Sequence, residues 1–236
     1  MIRILVSAIL FFVCLGAAQA DPNNRAVTSA ERALVDRFDR MLGAVLDQFR
    51  TDDWDETVNE GIESPSAPVK PLAPLQINEF LERTYDVRQG SARWNSLIEP
   101  KNRAMGAAAS PEAMARIGQQ MQALMHVHVD AEFNVNAASI DPPLPGNPDL
   151  HLPGVAASYR VAHPNAYNES GVILLFGRWR TAQWDAGNGA YRFTFVHPRG
   201  SLFIENIEVR IGGAQDRVDE LLRSVDWRKV NDALAP

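Results

Sequence analysis

The apolar positions of this chain change spacing three times. From Ile4 to Leu15 they form a solid run, interrupted only by Ser7. Further on, Leu34, Phe38, Met41, Leu42, Val45 and Phe49 recur at the spacing of one helix face. Thr28, with Glu31 three residues later, has the form of a capping box, which sets the start of a helix over about Ser29 to Arg50. Ile77, Phe80, Leu81 and Tyr85 predict a second helix over Gln76 to Arg88, and Arg93 to Ile98 another turn or two. Ser110-Pro111 is an N-cap followed by proline at the first helical position; the helix it opens runs through Met114, Ile117 and Met121. Between these helices, Pro65, Pro68, Pro71 and Pro74 forbid helix interior and central strand, so residues 61–74 are expected to be an extended connector.

Near Leu124 the period becomes two. Met125 to Asn136 alternates apolar and polar almost without fault, the pattern of a strand with one wet face. A loop rich in proline, glycine and aspartate occupies Ile140 to Pro153, and Val155 to Val161 is a second strand. Val172 to Phe176 is apolar on both faces, continues to Trp179, and suits a central strand covered on both sides. Asp185-Ala186-Gly187-Asn188-Gly189 signals a hairpin returning through Tyr191, Phe193 and Phe195. After a turn at His197 to Gly200, Leu202 to Ile211 forms the last strand and Gly212-Gly213 ends it. Val218, Leu221, Leu222 and Val225 define a closing helix, and Trp227, Val230 and Leu234 a short final one. The fold expected is α+β in one domain over residues 21–236. N-terminal helices precede an antiparallel β-meander of about five strands and a C-terminal helix, with helices from both chain ends on one face of the sheet.

The first apolar run differs in kind. Arg3 precedes it and Ala18-Gln19-Ala20 follows it, which together make the three parts of a secretory signal peptide cleaved after Ala20. The run is shorter than the roughly 20 residues a membrane span needs. The expectation is a periplasmic or secreted protein with no stable membrane insertion after cleavage. Cys14 is the chain's one cysteine and lies inside this segment, so the mature chain has no disulfide and no thiol chemistry. The formal charge is −6, without a block of Lys or Arg, which argues against nucleic acid as a partner.

Candidate chemistry is sparse. The acidic stretch Asp52 to Glu56 lacks the alternate ligands and central glycine of an EF-hand loop and is expected to be a solvated turn. On a strand, His126, His128 and Asp130 point to one face about 6–7 Å apart. Imidazole and carboxylate suit a divalent metal such as zinc or copper, with His151, His163 or His197 as further ligands, or a polar small ligand. The same face continues through Glu132, Asn134 and Asn136, as a plain hydrated strand face also would. No nucleophile elbow, His-Glu-x-x-His, P-loop or dinucleotide loop occurs. Acid pairs such as Glu205 and Glu208 are expected by chance in a chain with 29 acids. Arg178, Arg180, Trp184 and Arg192 form an arginine and aromatic group of the kind that anchors protein interfaces, provided the Arg192 strand lies beside the Arg178 segment. The reading is an exported, non-enzymatic protein-binding or accessory protein. The alternatives are a small-ligand or metal binder using the histidine face, and a hydrolase with a site its motifs do not reveal.

Overall fold

A computed structural model describes residues 22–49, 51–59, 65–78, 81–139, 150–161, 171–179, 184–185 and 190–234. The signal-like segment, the loop after Ser139, His163, Arg180 and the tip of the hairpin lie outside the described residues.

Thr28 caps helix α1 (Ser29–Leu46) with the expected box: its hydroxyl accepts from the Glu31 amide, and the Glu31 carboxylate accepts from the Thr28 amide. Phe38, Leu42 and Val45 turn inward. They meet a six-stranded sheet of order β2 (Trp54–Asn59), β4 (Leu81–Val87), β5 (His126–Phe133), β11 (Asn206–Gly213), β8 (Gly171–Gly177), β7 (Ala157–Val161). Every neighbouring pair is antiparallel. Helix α5 (Gln215–Ser224) and a closing 3-10 helix (Trp227–Ala233) join α1 on this face. The main core therefore lies between α1, α5, Trp227 and the inward residues Val127, Val129, Val172, Leu174, Phe176, Ile207, Val209 and Ile211. Full burial of a leucine or phenylalanine side chain is worth about 1.5–3 kcal/mol, so this layer is the main source of stability.

On the other face a smaller apolar cluster gathers Ala157, Tyr159, Val161, Ile173, Leu175 and Trp179 over β7 and β8. Ala138 joins it from a three-stranded sheet of β6 (Ala137–Ser139), β10 (Ala190–Arg192) and β9 (Trp184–Asp185). The connector also holds β3 (Ser66–Pro68), paired with β1 (Asn24–Ala26). Helices α2 (Ala92–Leu97), α3 (Glu99–Gly106) and α4 (Pro111–Met125) link β4 to β5, and Ser91 and Ser110 cap α2 and α4.

The α+β class, the helical cover from both chain ends and the long alternating strand β5 agree with the sequence pattern, but the polar face of β5 is only partly wet: His128 is buried and His126 and Asp130 are half-buried. Several local expectations do not agree. Leu81–Val87 is a strand, not the end of a helix, and Trp54–Asn59 is a strand where an acidic turn was expected. The strands do not form a simple meander, because β11 inserts between β5 and β8. Strand β8 stops at Gly177, whose φ is 98°.

One side chain ties the end of the sheet to its loops. Asn134 is the only described non-glycine residue with positive φ, at 53°. Its amide nitrogen donates to the carbonyls of Leu75 and Phe203, both at 2.8 Å, and its oxygen accepts from the Glu205 amide at 2.8 Å. Asn206 answers from β11, accepting from the Val135 amide and donating to the Val135 carbonyl. Asn134→Ala should lower the unfolding free energy by about 2–4 kcal/mol, since it orphans buried groups and keeps the costly backbone conformation. Asn134→Gly should lose about 1 kcal/mol less, because glycine adopts that φ without strain. Denaturant unfolding checks both; a loss under 1 kcal/mol in the alanine variant would remove the clamp from this account.

Candidate functional site

Because Val127, Val129 and Ala131 enter the main core, the intervening residues of β5 must face the other way. His126, His128, Asp130 and Glu132 therefore share a face, as the alternation implied. Register brings their neighbours. His126 lies opposite Asp86; His128 lies between Thr84 and Gly212; Asp130 lies between Glu82 and Arg210; Glu132 lies opposite Glu208. Three strands thus build one polar patch beside the smaller apolar cluster of β7 and β8. Arg83 and Tyr85 alternate to the core side, where Arg83 meets Asp39 of α1 at 2.5 Å and Glu56 of β2 at 2.8 Å.

The two histidines are held in different ways. His126 Nδ1 is hydrogen-bonded to the Asp86 carboxylate. His128 Nδ1 lies 3.1 Å from the Thr84 hydroxyl, and the imidazole rings are 5.7 Å apart between centroids. Burial, and then the neighbouring His126, push the His128 pKa down, while Glu82 and Asp86 oppose that shift. His128 is consequently neutral at pH 7. Asp130 moves in the opposite sense. Burial, then Glu82, raise it to about 6, with Glu132 adding and Arg210 opposing. Glu208 is 1% exposed and is also raised, by burial first. Arg210 Nε donates to Glu208 Oε1 at 2.7 Å. Among the described residues, the patch sets five carboxylates against one arginine and two histidines.

The expected further metal ligands are not gathered here. His151 is exposed in the segment before β7, and His197 is bound to Glu205 at 2.8 Å and stacked on Phe203. Among the described residues, no group of three histidine or acidic side chains is placed to hold a metal ion. Glu205 and Glu208 do not act as a pair: Glu205 accepts from the Val196 and His197 amides, while Glu208 lies in the polar patch. Arg178 and Arg192 are exposed; Arg192 pairs with Ala137 of β6, and the adjacent Phe193 meets Trp179 edge to face, ring centroids 5.4 Å apart. Trp184 sits on β9 opposite Tyr191. A surface hollow of about 530 Å³ lies between Gln48, Leu152, Leu222, Trp227 and Arg228, and none of its lining residues belongs to the polar patch. Glu82, Asp86 and Arg210 escaped the sequence reading, and Glu208 entered it only as half of a chance acid pair, since only strand register places them beside His126, His128 and Asp130.

No protein-family model, curated protein or solved structure matches this chain. Among the described residues, no helix is long and apolar enough to cross a membrane.

Asp130 gives the patch a measurable signature. Its pKa is raised on folding from the ordinary 3.8 to about 6, so the folded chain binds the proton more tightly than the unfolded one in that interval. Stability should then fall as pH rises through that window and level off above it. Asp130→Asn should flatten this slope and stabilise the protein at pH 7 by about 1–3 kcal/mol, with little effect near pH 4. Melting curves at the two pH values check this; equal effects at both would contradict it.

Proposed function

We propose that this chain is an exported, non-enzymatic binding protein whose ligand rests on the polar face around His126, His128 and Asp130. The observation that carries the reading is the gathering of Thr84, Asp86, Glu82, Arg210 and Glu208 around those three residues, with Glu208 buried, Asp130 half-buried and both raised in pKa. Buried ionisable groups cost stability, and such perturbed groups concentrate at functional sites. The orientation of His126 by Asp86 resembles the way binding imidazoles are commonly held. Export rests on the pattern of the first twenty residues.

A thermal-shift screen of the mature chain against divalent metal salts and small charged compounds tests this. At least one compound should raise the melting temperature, and the His126→Ala/His128→Ala double variant should lose that response. Metal analysis of both proteins, purified without chelator, reads the divalent-metal version of the same site. Hits that survive in the double variant, or no hits at all, would refute the reading.

A protein partner is the second reading, favoured by the exposure of Arg178, Arg192, Val196, Leu202 and Phe203. An envelope extract should then yield a stoichiometric partner whose capture falls at least fivefold with Arg178→Ala/Arg192→Ala. Unchanged capture would exclude those arginines as anchors.

A further inference from the structure

Three glutamates are buried among the described residues: Glu31, Glu205 and Glu208. Glu31 has both oxygens occupied, one by Arg25 and the other by Arg25 and the Thr28 amide. Glu205 also uses both, accepting from the amides of Val196 and His197 and pairing with the His197 ring. Glu208 differs. Its Oε1 accepts from Arg210, but its Oε2 is buried without a hydrogen-bond partner. Burial that leaves a carboxylate oxygen unmet is costly, and native structures rarely keep it without a reason.

The surroundings indicate what would complete it. Across the ladder from Glu208 on β5 stands Glu132, which is exposed; on β8 stands Leu175. Asp130 and Glu82 occupy the next row, with Arg210 between that row and β8. Glu132, Asp130 and Glu82 thus add further carboxylates beside Glu208 on the same face. Among the described residues no three histidine or acidic side chains are placed to hold a metal ion, whereas carboxylates accept the N–H donors of an organic cation in charge-assisted pairs. Resting on the proposed binding function of this face, we infer that its ligand is a small organic cation carrying N–H donors, a guanidinium or ammonium compound, anchored between Glu208 and Glu132.

Titration of the isotope-labelled mature chain, followed by amide chemical shifts, tests this with four probes: methylguanidinium, butylammonium, acetate and zinc. Methylguanidinium and butylammonium should shift the amides of β5 and β11 around Glu132 and Glu208, methylguanidinium at the lower concentration. Glu208→Gln should weaken that binding at least tenfold. Glu132→Gln, a change at an exposed position that leaves the buried group intact, should weaken it at least threefold. If acetate or zinc moves these amides and the two organic cations do not, the cation assignment fails while the binding face stands. If none of the probes moves them, both fail. Cation binding unchanged in both glutamine variants would overturn the Glu208–Glu132 anchor alone.

Discussion

The register of β5 is the constraint on which the molecule depends. Val127, Val129 and Ala131 are buried in the main core with the inward residues of α1 and α5. A slip of one residue would bring His126, His128 and Asp130 into the core and send the valines to the polar side. The dry layer therefore fixes the wet one. The polar face is assembled by the packing opposite it, and β4 and β11 bring Glu82, Thr84, Asp86, Glu208 and Arg210 alongside through their own pairings with β5.

The same sheet treats charge in two ways. On the core side, Arg83 is buried and paired with Asp39 and Glu56 through its two terminal nitrogens, its Nε having no hydrogen-bond partner, and Gly43 of α1 makes room for its guanidinium: a Cβ there would lie 3.1 Å from Arg83 Nη2. That group works as a bolt between helix and sheet. On the polar side, charge is left unbalanced. Carboxylates outnumber cations among the described residues, and a buried oxygen of Glu208 lacks a donor.

What could be seen in the sequence follows from this. Helix α1, α4 and β5 were legible because capping residues and clean periodicity agree with their final burial. Strands β2 and β4 were not, because each carries a charged residue at a buried position. Glu56 and Arg83 satisfy one another across the β2–β4 pair, and that mutual neutralisation erases the apolar alternation that would have marked both strands. Leu81 and Tyr85, four residues apart, then fit a helix as well as a strand. The candidate site was half legible for a related reason. His126, His128 and Asp130 share one alternating stretch, whereas Glu208 and Arg210 reach them only through strand pairing between residues 80 apart, Asp130 facing Arg210, for which a single sequence carries no local signal.

Strand β11 occupies the middle of the sheet and is the last strand in the chain. Until residues 206–213 are available, β5 and β8 each lack their partner on that side, and the β2-β4-β5 and β8-β7 halves have no strand between them. Folding of this sheet is thus an all-or-nothing closure that waits for the C-terminal part of the chain, with long-range pairing as its slow step. A polypeptide shortened by its last strand would hold two open templates for association with other chains in place of one finished sheet.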